Sequence, residues 1–204
     1  MAPEYHLIVT EGESTEPKYF EGIRQVINGQ YRDRIQITIK GEGKNTLSLL
    51  ERAVRIASND PNPIGHVWIV FDKDDFRDEQ FNQTISQCEV MNREGSDIRF
   101  HALWSNECFE LWFVLHFAYQ HTGLSRDQYI KKLDKYLASY GGYSKTRDGM
   151  YSILLPKLPT AIRNAKKLRQ SNERKSPAIS NPGTVVYEIM EYLYPYLMET
   201  THSE

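Results

Sequence analysis

Cysteine is scarce: Cys88 and Cys108 are the only two in 204 residues. They form no CxxC pair, which removes both zinc-ribbon spacing and a disulfide framework. Long hydrophobic runs are also missing. The longest apolar stretch, LWFVLHFA, is interrupted by His116 and is too short to span a bilayer, so no membrane association is expected. The amino terminus, MAPEYHLIVTEGEST, has no basic segment ahead of an apolar one, so no signal peptide is read there and a reducing cytoplasm is expected. Nor does one sign of charge dominate. Lys and Arg number 25 against 27 Asp and Glu, a net charge of −2. Any attraction to nucleic acid must therefore be local rather than global.

What is present suits a soluble globular chain of one domain, or a domain with a sizeable appendage: 40% hydrophobic and 25% charged residues are ordinary proportions. The first half alternates between strand and helix patterns. YHLIV reads as a buried strand, and Ser14 or Thr15 caps a helix with Pro17 in its first turn, running to about Asn28-Gly29. RIQITIK alternates as a strand with one wet face, and LSLLERAVRIA is apolar at helical spacing until DPNP breaks it. HVWIVF is a continuous apolar strand of the parallel-sheet kind, followed by an amphipathic stretch from Asp78 to Asn92 and a fourth strand, DIRFHALW. The expected class is α/β with a mostly parallel sheet flanked by helices over residues 1–105. Residues 106–204 read as a helical carboxyl-terminal part packed on that core as a single compact unit. It comprises a buried helix in NECFELWFVLHFAYQH, an amphipathic one in SRDQYIKKLDKYLASY and a third interrupted at Pro156 and Pro159. A last helix is capped by Asn181 with Pro182 at its first position.

In an open parallel sheet, chemistry collects beyond the carboxyl ends of the strands. Glu11 follows the first strand, Asp72, Asp74 and Asp75 follow the third, and Ser105, Asn106 and Glu107 follow the fourth. Along an extended exit segment Asp72 and Asp74 point the same way, with Lys73 opposite. Two carboxylates facing a third raise one another's pKa unless a cation lies between them, and Mg²⁺ or Mn²⁺ suits several oxygen ligands. Acids after a strand also serve as plain turn and capping residues. The ion-binding expectation therefore depends on geometry: the loops after the first and third strands must meet. An aspartate joined to a structural arginine would argue against it.

Four segments, TEGESTEPKYF, VWIVFDKDDF, SNECFELWFVLHF and NPGTVVYEIMEYL, with GGYSKT between the last two, together resemble the RloB-like family. The resemblance implies a Toprim-like α/β core followed by a helical part, and a cytoplasmic place among phage-defence or abortive-infection genes, often beside an AAA-type or ABC-type ATPase partner. It carries a conserved glutamate role onto Glu11 and metal-aspartate roles onto Asp72 and Asp74, with Mg²⁺ or Mn²⁺ as cofactor; Asp75 is an adjoining ligand candidate by its position after the third strand alone. Many members have proline where this chain has Glu107, which adds an acid near the site.

Further candidates come from the residues. Glu110, inside an apolar helix, either extends the acidic site or holds an Arg or Lys, because a buried carboxylate needs a partner. His116 on the same helix is a catalytic candidate whose plainer reading is a core histidine. Lys145 and Arg147 follow a Gly-Gly turn, a loop able to close over phosphate. Arg163, Lys166, Lys167 and Arg169 belong to a basic run from Lys157 to Lys175 that contains one acid, Glu173. Such a run suits a phosphate backbone, though it is more often a solvated helix face. GEGKNT fails the Walker pattern, having Thr38 where a glycine is required and Asn45 after Lys44.

Together these readings lead to a metal-dependent nuclease cutting DNA or RNA, with Glu11, Asp72, Asp74 and Lys145 at its centre. The alternative is a non-catalytic regulatory subunit docking on a partner ATPase. Strand joining would need a nucleophile, and none of the 13 tyrosines stands out as one.

Overall fold

The computed structural model describes residues 2–43, 46–74 and 76–199. Four strands run parallel: β1 (Glu4–Thr10), β2 (Ile35–Gly41), β3 (Ile64–Asp72) and β4 (Arg99–Asn106). A two-residue strand, β5 (Gly183–Thr184), pairs antiparallel with the end of β4, giving the order β2-β1-β3-β4-β5. The helices between the parallel strands are α1 (Thr15–Gln30), α2 (Thr46–Asn59) and α3 (Asp78–Arg93). The helical remainder holds α4 (Glu110–Leu115), α5 (Arg126–Tyr136), α6 (Met150–Leu154), α7 (Leu158–Ser171) and α8 (Tyr187–Glu199). Lys44 and Asn45 of the rejected Walker segment, and the ligand candidate Asp75, lie outside the described residues.

Alternation along the strands feeds two cores. Ile8, Trp68, Val70 and Leu103 face α1 and the helical remainder, in an apolar cluster that runs on through Trp112, Leu133, Leu158 and Leu193. Leu7, Val9, Val67, Ile69 and Phe71 face the other way, onto α2 and α3. The chain leaves β1 through α1 toward one edge of the sheet, and leaves β3 through α3 toward the other. Because β1 and β3 are neighbours, their exits diverge and open a crevice at their carboxyl ends, the topological switch point of the sheet.

Two expectations are corrected. Asn181 and Pro182 do not begin a helix. Gly183 and Thr184 pair with Asn106 and Ser105 instead, and α8 starts at Tyr187. The β-branched run Thr184-Val185-Val186 favours extended backbone, and the end of β4 offers it a partner. The buried helix of NECFELWFVLHFAYQH is also shorter than expected, only six residues, all of them buried. The proline expectation holds at Pro156, which separates α6 from α7, but Pro159 interrupts nothing and sits in the first turn of α7.

Asparagine amides substitute for missing neighbours at both parallel edges. Asn28 on α1 donates to Ile37 O at 2.9 Å and accepts from Ile37 N–H at 2.8 Å. Asn92 on α3 makes the same pair with Phe100, both at 2.8 Å. Replacing Asn92 by Leu leaves a donor and an acceptor unpaired. The expected cost is about 1–3 kcal/mol, seen as a lower denaturant midpoint. An unchanged midpoint would mean that water replaces the amide without loss.

Candidate functional site

The loops after β1 and β3 meet. Glu11 extends the β1–β3 ladder by donating its N–H to Val70 O at 2.9 Å, and its Oε2 accepts the N–H of Asp72 at 3.0 Å. Asp72 is the last residue of β3 and is buried. Asp74 has φ of 37°, the left-handed region that costs a non-glycine residue about 1 kcal/mol. In that conformation both aspartates point to one place, while Lys73 turns away to Asp78 at 3.2 Å.

That place already holds a cation. Arg126 Nη2 donates to Asp72 Oδ2 at 3.0 Å and to Asp74 Oδ2 at 2.6 Å. The contact that was to argue against ion binding is therefore present: in this structure a guanidinium joins both aspartates. It does not balance the site. Among the described residues, a cleft of about 360 Å³ is lined by six carboxylates, Glu11, Glu13, Glu16, Asp72, Asp74 and Glu110, against two cations, Arg126 and Lys145.

Glu16 lies in the first turn of α1, where the helix dipole favours an anion. Gly12 makes room for it, since a Cβ there would stand 2.1 Å from Glu16 Oε2. Glu110 opens α4 and accepts the Tyr143 hydroxyl at 3.1 Å, so it extends the acidic site, the first of its two expected roles. The loop carrying Lys145 is drawn over the cleft by α1. Lys18 Nζ reaches Thr146 O at 2.7 Å and Asp148 Oδ1 at 2.6 Å, and the Thr15 hydroxyl reaches Lys145 O at 3.4 Å.

The crowding shows in the ionisations. Burial, and then repulsion from Asp74 and Glu16, pushes Glu11 up to about 7, although the Asp72 N–H and Arg126 pull the other way. Burial followed by Glu110 raises Glu16. Asp72 is raised well above the usual carboxylate range by burial and then by Glu16, Glu110 and Asp74, with Arg126 opposing. Asp72 Oδ1 is buried and has no hydrogen-bond partner among the described residues. The folded protein therefore binds a proton at Glu11 between pH 4.5 and about 7 that the unfolded chain does not, so this residue's destabilising effect appears as pH rises through that window. Glu11→Gln, which cannot ionise, is expected to be more stable than wild type at pH 8. The advantage should vanish toward pH 4.5 when denaturant midpoints are compared. A constant difference would contradict the raised ionisation.

Other candidates fall elsewhere. Glu107 does not line the cleft, and its Oε1 accepts the N–H of Arg126 at 3.3 Å. The Asn106 amide anchors a distant loop through Pro177 O at 3.2 Å and Ala178 O at 2.7 Å. His116 is a core histidine, donating from Nδ1 to Trp112 O at 2.9 Å. Arg147 closes its own loop on Tyr140 O and, at 2.6 Å, on Gly142 O, and it does not line the acidic cleft. Arg163, Lys166 and Lys167 line a separate groove of about 770 Å³ between α7 and α8, where Lys166 pairs with Glu191 at 2.8 Å. Arg169 lines a third hollow beside β4. The basic run is thus not one surface and does not border the acidic cleft.

Sequence reasoning missed Arg126 and gave Glu16 no site role. Ser125 and Gln128 form a capping box that marks the start of α5 and so places Arg126 at a helix end. No local pattern reveals its target, 52 positions away.

A second cluster, Glu4, His6 and His66, brings three ligand-type atoms within 4.8 Å of one another. Its hydrogen bonding has the wrong polarity for a metal. The Trp68 indole, a donor only, points its N–H at His6 Nδ1 at 3.0 Å, which puts the imidazole proton on Nε2, facing Glu4 Oε2 at 3.3 Å. A ligating His6 Nε2 would need that proton on Nδ1, N–H against N–H. The cluster is a hydrogen-bond chain ending on Glu4, which also accepts the Tyr192 hydroxyl at 2.9 Å.

A family model described as RloB-like protein matches residues 6–193. No curated protein and no solved structure matches the chain.

Proposed function

The chain belongs to the RloB-like family, and from that premise we propose that it is a metal-dependent phosphodiesterase that cuts DNA or RNA in defence against foreign nucleic acid. One observation carries the proposal: among the described residues a buried carboxylate oxygen, Asp72 Oδ1, stands without a donor in a cleft where six acids face two cations. Had Arg126 neutralised the cleft, its contacts would make Asp72 and Asp74 a structural ion pair. The surplus of negative charge and the bare oxygen fit a hard divalent cation held by Glu11, Asp72 and Asp74, with Glu16 and Glu110 close by.

When bound, Mg²⁺ or Mn²⁺ supplies charge neutralisation at a phosphate and acidifies water. The protein's own groups do the rest. Lys145, held over the cleft by α1, offers its ammonium to a phosphate oxygen. Glu11, whose Oε2 is engaged by the Asp72 N–H, would hold the ion with the two aspartates or, in place of that, take the proton from water as general base. Arg163, Lys166, Lys167 and Arg169, off the cleft, would contact only flanking strand.

The test is incubation with labelled duplex DNA, single-stranded DNA, total RNA and tRNA, with Mn²⁺ or with EDTA. Cleavage of at least one pool, abolished by EDTA, is expected.

The presence of Arg126 on both aspartates favours one other reading, a regulatory subunit whose ion site is degenerate and which docks on a partner ATPase. Absence of cleavage in every pool, with an ATPase co-purifying and no divalent ion bound, would support it.

A further inference from the structure

Arg126 is held at its backbone and poorly satisfied at its tip. Ser125 Oγ accepts from Gln128 N–H at 3.4 Å, Gln128 Oε1 accepts from Ser125 N–H at 2.9 Å, and the Arg126 N–H donates to Glu107 Oε1 at 3.3 Å. The guanidinium then reaches across the cleft, where a single nitrogen, Nη2, serves both aspartates. An arginine in a settled ion pair usually engages a carboxylate with two parallel N–H groups. Here Nε is buried without a partner among the described residues, while the side chain as a whole stays 32% exposed. Asp72 is short of a partner as well: it is only 5% exposed, yet its Oδ1 receives no hydrogen bond from the described residues. A planar donor arriving from one side cannot reach every oxygen, whereas a small ion collects them from several directions at about 2.0–2.6 Å.

We propose, resting on the reading of this cleft as a divalent-cation site, that Arg126 is the site's resident counter-ion. Its guanidinium holds Asp72 Oδ2 and Asp74 Oδ2 in the metal-free protein, competes with Mg²⁺ or Mn²⁺ for those oxygens, and leaves them when the ion binds. Arg126 thereby sets the ion affinity. It keeps the acids assembled without metal and makes loading weaker than the cleft's carboxylates alone would give. An anionic substrate that draws the guanidinium away would tighten ion binding, and by linkage the ion would tighten substrate binding equally.

The test is Mn²⁺ binding to the full chain, followed by the electron paramagnetic resonance signal of free Mn²⁺, for wild type, Arg126→Met and Arg126→Lys. Arg126→Met removes the competing charge and is expected to bind Mn²⁺ about 10-fold tighter or more, given that a neighbouring guanidinium shifts carboxylate equilibria by one to three decades. Arg126→Lys, with a mobile ammonium, should fall between. The metal-free Met variant should melt lower than wild type and gain more from added Mn²⁺. If Arg126→Met does not fold, Arg126→Lys carries the comparison alone. Mn²⁺ bound by wild type but equally or more weakly by the variants would overturn the competition and leave the ion site standing. Mn²⁺ bound by none of the three would overturn both.

Discussion

Asp72→Asn is expected to abolish Mn²⁺-dependent cleavage of nucleic acid, by about 10³-fold or more, and to leave the fold intact. An ion on a phosphoryl oxygen is worth several kcal/mol of transition-state stabilisation, and each 1.36 kcal/mol is about tenfold in rate. Asparagine has the same shape, keeps the β3–β4 pairing opposite Ser105 and still offers its N–H to Glu11. What it removes is a charge that the fold holds at a cost. Burial and then Glu16, Glu110 and Asp74 raise the Asp72 ionisation, so its charged form destabilises the folded protein at neutral pH. The variant should therefore melt at or above the wild-type temperature while losing activity. A purely structural pairing with Arg126 gives the opposite signs, a lower melting temperature with unchanged activity. Labelled-substrate cleavage and thermal unfolding of the same preparation separate the two, and persistent cleavage would remove Asp72 from the reaction.

The largest stability effect is expected at Trp112, one turn of chain behind the cleft. Its side chain is fully buried, and its indole N–H donates to the Tyr19 hydroxyl at 3.1 Å, which in turn meets Met190 Sδ at 3.8 Å. That chain ties α4 to α1 and α8. Trp112→Ala should cost about 3–5 kcal/mol, from lost burial and the cavity left behind. Glu110, two residues away, would lose the packing that presents it to the cleft, so the Mn²⁺ affinity of the surviving folded fraction should fall as well. Trp112→Phe keeps most of the volume and should cost far less. A denaturant midpoint for Trp112→Ala close to wild type would show that the helical part contributes little to the core beneath the site.

The legible features were those written in local chemistry. Continuous apolar runs ending in acids marked β1 and β3, and the meeting of their exits was a geometric expectation that the β1–β3 pairing satisfies, bringing Glu11, Asp72 and Asp74 together. Glu110 was readable because a carboxylate among Leu111, Trp112 and Phe113 needs polar company. Arg126 was not, because an ion pair across 52 positions leaves no mark on its neighbours. The basic run misled for a geometric reason. A period of 3.6 residues sends Arg163, Lys166 and Lys167 toward α8 but Arg169 toward β4, so a linear cluster became two surfaces. The turn into β5 was hidden because Asn-Pro serves a helix start and an extended edge equally well.

Anomalous diffraction from crystals soaked in Mn²⁺ tests the account most directly. It predicts a peak within coordination distance of Glu11, Asp72 and Asp74, with the Arg126 guanidinium moved off both aspartates. A cleft without a peak at millimolar Mn²⁺, and Arg126 still seated between Asp72 and Asp74, would contradict it.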